Sequence, residues 1–259
     1  MSMLVFTFGF FGCSDPPVLN GTVLDIWNKP IEGATVYING IEEPQVSQSN
    51  GSFSFVLEDF GEQTIRLRTE AKDYISDVET TVFSKESEEV EPLAFHLYPK
   101  PTDKGFFGIG DSKYLPLEEQ KVYTEGTKLE VFNGINSVGS VSLSKSKNPF
   151  VFYSKLIKEE IRQLDLTLYQ LEFKENEEVK GILGETSIEI DLWMAKPDLA
   201  YDITLRPLGE DYMFLLEFEE SLPSGVYAFH SGTSLIKPDP RNKDIRPEEL
   251  KVAYPFRIK

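Results

Sequence analysis

Ser49-Asn50-Gly51-Ser52-Phe53-Ser54-Phe55-Val56-Leu57 is the stretch on which the fold turns. Successive side chains of a strand point to opposite faces, so Phe53, Phe55 and Leu57 share one face and Ser52, Ser54 and Val56 the other. The Asn50-Gly51 pair in front of it is a strong hairpin signal. It predicts a type I′ turn, which takes positive φ at both central residues.

The same signature extends outward on both sides. Short alternating runs recur roughly every 8–12 residues between turn residues, which argues a β-sandwich. Seven strands are predicted: Leu19–Asp25, Ala34–Ile38, Gln45–Gln48, Ser52–Leu57, Gln63–Thr69, Val78–Phe83 and Leu93–Tyr98. In the first, Leu19, Gly21, Val23 and Asp25 lie on one face, and Thr22, Leu24 and Ile26 on the other. In the fifth, Ile65, Leu67 and Thr69 alternate with Thr64, Arg66 and Arg68, so one face is wet. Asn28-Lys29-Pro30 closes the first strand, with proline fixing φ.

Several motifs occur in order along this stretch. They are Gly21-Thr22-Val23, Lys29-Pro30-Ile31-Glu32-Gly33-Ala34-Thr35-Val36, Ser49 to Phe55, and Lys72-Asp73-Tyr74. Together they resemble the carboxypeptidase regulatory-like domain, a transthyretin-like sandwich of seven or eight strands. Asp73 stands where that family commonly has glycine. The resemblance covers about a third of the chain and implies a scaffold rather than an activity. The zinc carboxypeptidase centre needs a His and a Glu close together and a distant His. Neither of the two histidines has a Glu at that spacing. An isopeptide-forming adhesin sandwich would need a lysine on an early strand, and the first strand has none.

The N-terminus carries a different message. Leu4 to Gly12 is an apolar run of nine residues, too short to span a bilayer, which takes about 20. It fits the apolar region of a secretory signal. Cys13, the only cysteine, follows it behind a small residue, and Ser14-Asp15-Pro16-Pro17 then breaks any helix. This resembles a bacterial lipoprotein signal, with Cys13 as the acylated residue. No Lys or Arg precedes Cys13, and Phe10 stands where leucine is usual. Several acyl chains at ~0.8 kcal/mol per buried CH₂ make a permanent anchor. With a single cysteine no intrachain disulfide forms, so packing alone holds the folded parts.

The expected organisation is a signal at 1–13, a linker at 14–17, the sandwich at 18–99, a linker at 100–104 and a second β-rich domain at 105–259. In that domain strands are predicted at Lys128–Phe132, Val138–Leu143, Phe150–Tyr153, Leu166–Phe173, Thr186–Leu192, Ile203–Pro207, Tyr212–Phe218, Gly225–His230 and Ala253–Ile258. One helix is predicted at Ser154–Leu164, where Leu156, Ile157, Ile161 and Leu164 fall at helical spacing. The fold class is therefore all-β: a seven-stranded transthyretin-like sandwich, then a second sandwich-like domain with at most one short helix.

Charge narrows the partners. A net charge of −17 repels phosphate backbones and anionic headgroups, which argues against nucleic acid and against electrostatic docking on a membrane. Membrane attachment is expected through the lipid on Cys13 alone. Three aromatic residues are the candidate ligand contacts. Trp27 lies just past the first strand, where it either stacks on a sugar or partner or folds over the sandwich end. Phe106-Phe107, with Phe150 and Phe152, is a candidate apolar platform. Phe150 and Phe152 share a strand face and read as core.

Other constellations are weaker. His230-Ser231 with Ser234 and Asp239 offers parts of a hydrolase triad, but a triad needs the His between hydroxyl and acid. Its alternative is a strand-end histidine. Asp239, Asn242 and Asp244 lack the glycine-bearing loop that gathers oxygens around calcium, and read as a polar loop. No catalytic residue, cofactor or metal is assigned. The expected function is an exported, lipid-anchored cell-envelope protein that binds or scaffolds a protein or glycan without catalysis. The alternatives are a hydrolase or hydrolase accessory with its site in the second domain, and a purely structural spacer.

Overall fold

Residues 16–57, 63–83, 92–126, 131–144, 150–154, 165–180, 187–209, 212–231, 235 and 252–259 are described in the computed structural model. Among them every regular element is a strand, and the fold is all-β. The chain divides into two compact units, Met1–Pro99 and Lys100–Lys259.

The first unit holds seven strands: β1 (Val18–Asp25), β2 (Thr35–Ile38), β3 (Gln45–Val46), β4 (Ser52–Val56), β5 (Gln63–Glu70), β6 (Asp77–Phe83) and β7 (Leu93–Leu97). They form two sheets, ordered β4-β1-β7 and β3-β2-β5-β6. Strand β1 runs antiparallel to β4 and parallel to β7. The faces are those the alternation predicts. Leu19, Val23, Phe53, Phe55, Leu57, Ile65, Leu67, Phe95 and Leu97 turn inward and pack as one core shared by both sheets. Thr64, Arg66 and Arg68 face solvent. Gly21 is buried opposite Phe53 because the ring fills its place: a Cβ there would lie 2.2 Å from the Phe53 ring.

One turn differs from its expectation. Gly51 has φ +78, but Asn50 is not in the left-handed region, so this is no type I′ turn. The Gly51 amide donates to Gln48 O at 2.8 Å and the Gln48 amide to Ser52 O at 2.9 Å. That is a tight turn ending on a left-handed glycine. The reason lies in the topology: β3 and β4 belong to different sheets, so the chain turns a corner here instead of closing a flat hairpin. The Gly51 carbonyl accepts from the Val23 amide at 2.8 Å, and a Cβ on Gly51 would meet Val23 O at 2.4 Å. Asp73 also sits at positive φ, +64. Asparagine and aspartate tolerate that region better than other non-glycine residues.

The second unit carries β8 (Gly105–Ile109), β9 (Tyr114–Pro116), β10 (Gln120–Lys121), β11 (Tyr123–Gly126), β12 (Val131–Gly134), β13 (Ser142–Leu143), β14 (Phe150–Tyr153), β15 (Leu166–Lys180), β16 (Ser187–Tyr201), β17 (Thr204–Leu208), β18 (Met213–Glu217), β19 (Gly225–Ser231) and β20 (Val252–Ile258). A five-stranded sheet runs β17-β18-β14-β8-β9, and a second runs β10-β20-β19-β15-β16 with β13 beside β20. Between them lies an aromatic core. Phe106 stacks on Phe152 at 4.4 Å and on Phe229 at 5.0 Å, and Phe150 meets Phe256 at 4.5 Å.

Strands β8 to β11 fall where none is expected. In β8, Phe106, Phe107 and Gly108 are buried in succession, so the run has no wet face and no alternation to read. Strands β15 and β16 are longer than expected, at 15 residues each. Of the predicted helix only Ser154 lies among the described residues. It follows β14 and donates its amide to Tyr212 O at 3.2 Å.

Candidate functional site

A cleft of about 320 Å³ opens in the second unit. It is built mainly by β8, β9, β20 and the residues leading into them. Lys100, Thr102, Asp103 and Lys104 form its entry, so the stretch expected as a linker is part of its wall. Phe106, Phe107, Tyr114, Glu119 and Tyr254 also line it.

Strand register explains how these distant residues meet. Phe107 pairs with Pro116 and Ile109 with Tyr114, which folds β9 back over β8. The Leu117 amide donates to Phe106 O at 2.8 Å and holds that connection down. Gln120 then pairs with Ala253 on β20. Their neighbours Glu119 and Tyr254 are thereby brought together, and the Tyr254 hydroxyl donates to Glu119 Oε1 at 3.2 Å. The Tyr254 ring leans on Phe106, with centroids 4.6 Å apart at 48°. Phe107 and Tyr114 make a second aromatic pair at 5.9 Å.

The electrostatics fix the proton. Burial, with the Glu119 carboxylate beside it, pushes the Tyr254 hydroxyl well above the usual tyrosine range. It is therefore a donor throughout neutral pH. Lys100, Lys104, Asp103 and Glu119 are all exposed, so the rim carries two cations and two anions. The wall is thus aromatic and the rim polar, an arrangement common to small-ligand sites.

The predicted site residues fall in two places. Phe106 and Phe107 are 5% and 7% exposed and do not form an open platform. Consecutive residues of a strand face opposite ways. Phe106 enters the sandwich core, while Phe107 pairs beside Val151 on the other face. Both still line the cleft. Phe150 and Phe152 are core residues. Trp27 belongs to the first unit and is half-buried. The buried Asp25 carboxylate accepts the amides of Trp27 at 2.8 Å and Lys29 at 2.9 Å, which ties down the loop. The Lys29 ammonium lies 5.8 Å from the Trp27 ring centroid, within cation–π range.

His230 is the second-last residue of β19, as a strand-end histidine is expected to be. It is nevertheless 1% exposed, with Nδ1 donating to Val252 O at 3.0 Å, which leaves Nδ1 protonated. Ser231 is buried next to it. Ser234, Asp239, Asn242, Asp244 and Cys13 lie outside the described residues. Among the described residues no group of three His, Cys, Asp or Glu side chains gathers to hold a metal. Tyr254, Glu119 and Tyr114 escape a sequence reading because only the β10–β20 and β8–β9 pairings bring them together. Compared with models of protein families and with curated proteins, the sequence matches none of them.

Proposed function

We propose that this protein is an exported, lipid-anchored component of a bacterial cell envelope that binds a partner without transforming it. The cleft at Phe107, Tyr114, Glu119 and Tyr254 is its binding site. The observation that carries the reading is this cleft, with aromatic walls and polar atoms at its rim. The Cys13 motif supports the anchor, and the Pro16-Pro17 run behind it supports a folded part held off the membrane.

The first unit is read as a carboxypeptidase regulatory-like scaffold. Seven strands in two sheets support this, and so does the positive φ of Asp73, at the position where that family commonly has glycine. A hydrolase in the second unit is less well supported. His230 is enclosed in its strand with Nδ1 committed to a backbone carbonyl, and the cleft does not reach it.

The test immobilises the full chain and passes envelope extracts, split into protein and polysaccharide fractions, over wild type and Tyr254→Ala. The expected result is retention of a component that the variant loses. Equal retention by both proteins would remove the cleft from the account.

A further inference from the structure

We infer that the cleft takes a neutral saccharide, one or two sugar units at a chain end, with a sugar face on the Tyr254 ring and hydroxyls on Glu119 and the lysine rim. This rests on the binding reading above and names the ligand class for the same site.

Size comes first. At about 320 Å³ the cleft lies at the lower end of small-ligand sites, which run from roughly 300 to 1,000 Å³. That admits a small ring system or a chain terminus, not a folded protein segment. Wall chemistry comes second. Tyr254 is half-buried and held by Phe106 on one side, so its ring is a fixed surface for an apolar face. Pro101, Pro116 and the Phe107–Tyr114 pair add further rigid apolar surface. Rigid rings of this kind lose little side-chain entropy on binding.

Charge narrows the ligand class. The chain carries −17 overall, yet the rim offers Lys100 and Lys104 against Asp103 and Glu119 and is locally balanced. An anionic ligand meets two carboxylates there as well as the protein's overall negative field. A cationic ligand is drawn by that field and by the two carboxylates but meets two ammonium groups at the rim. A neutral polyol is indifferent to the overall field and finds both donors and acceptors among the exposed groups of the rim. Ammonium groups donate to its hydroxyl oxygens, and carboxylates accept its O–H groups. The Tyr254 hydroxyl gives its proton to Glu119, so its oxygen is left to accept from a ligand hydroxyl.

The test is calorimetric titration of the full chain with neutral disaccharides and tetrasaccharides of glucose, mannose and N-acetylglucosamine. Uronate oligosaccharides and free lysine and glutamate serve as charged counterparts. The expected result is saturable binding of at least one neutral saccharide at millimolar concentration or below. Tyr254→Ala lowers its affinity at least tenfold, Glu119→Gln lowers it several-fold, and Tyr254→Phe falls between wild type and alanine. Circular dichroism confirms that each variant is folded. Preference for a charged counterpart, absence of binding by every neutral saccharide, or an affinity indifferent to Tyr254→Ala overturns the inference. Retention of an envelope protein at the same cleft, with no saccharide bound, would overturn this inference alone and leave the binding reading standing.

Discussion

The two units bury apolar strands in different ways, and the difference decides what a reader of the sequence can see. In the first unit most strands have one dry and one wet face. Strand β4 alternates half-buried or exposed serine and valine with buried phenylalanine, and β1 alternates across its whole length. In the second unit β14 reads Phe-Val-Phe-Tyr with its first three residues buried, and β18 buries Met213 to Leu216 without a break. Such strands are covered on both faces. Hydrophobic alternation therefore reports one-sided burial, not strand structure as such.

The largest effect that probes this contrast is removal of a ring from the aromatic core. Phe229 is fully buried and packs on Phe106, Phe150 and Phe256. Phe229→Ala is expected to cost about 3–5 kcal/mol. The chain has two tryptophans, Trp27 in the first unit and Trp193 in the second, so fluorescence can follow each unit separately. In urea, the transition seen by Trp193 in a Trp27→Phe background should move most. An equal shift at Trp27 in a Trp193→Phe background would show that the two cores do not act separately.

Next in size is the corner at Gly51. Gly51→Ala places a Cβ against Val23 O in a left-handed backbone, and should cost about 1–3 kcal/mol, read at Trp27. Asp25→Ala leaves the amides of Trp27 and Lys29 without their carboxylate. It should cost roughly 1–3 kcal/mol in the same unit, with Asp25→Asn recovering part.

The smallest effect is alkaline. Burial, with Tyr201 beside it, raises the Tyr227 hydroxyl well above the ordinary tyrosine range, and that hydroxyl donates to Pro223 O at 2.8 Å. Above pH ~10 the unfolded chain releases this proton while the folded chain keeps it, so stability falls as pH rises. Below that pH the contribution is constant. Tyr227→Phe should flatten the decline by up to about 1.4 kcal/mol per pH unit, measured as urea midpoints from about pH 9 to 11. An unchanged slope would mean the hydroxyl is not held protonated.

These contrasts also show how far the residues speak for themselves. Inward and outward faces of β1, β4 and β5 follow from alternation, and β14 has the predicted bounds Phe150–Tyr153. Strand β8 escapes because its consecutive buried residues resemble any apolar run. The cleft is harder still. Glu119 and Tyr254 are 135 positions apart, and only the pairing of Gln120 with Ala253 makes them neighbours. Phe106 and Phe107 stand out in the sequence as an adjacent aromatic pair, while the tyrosine and carboxylate that share the cleft with them carry no local signal.

The proposed anchor at Cys13 would set the compartment in which a partner is sought, and labelling tests it. The full chain is expressed in bacteria with a radiolabelled or alkynyl fatty acid, wild type beside Cys13→Ala. Label and membrane association are expected for the wild type and neither for the variant. A wild type that takes up no label would contradict the envelope-anchored reading.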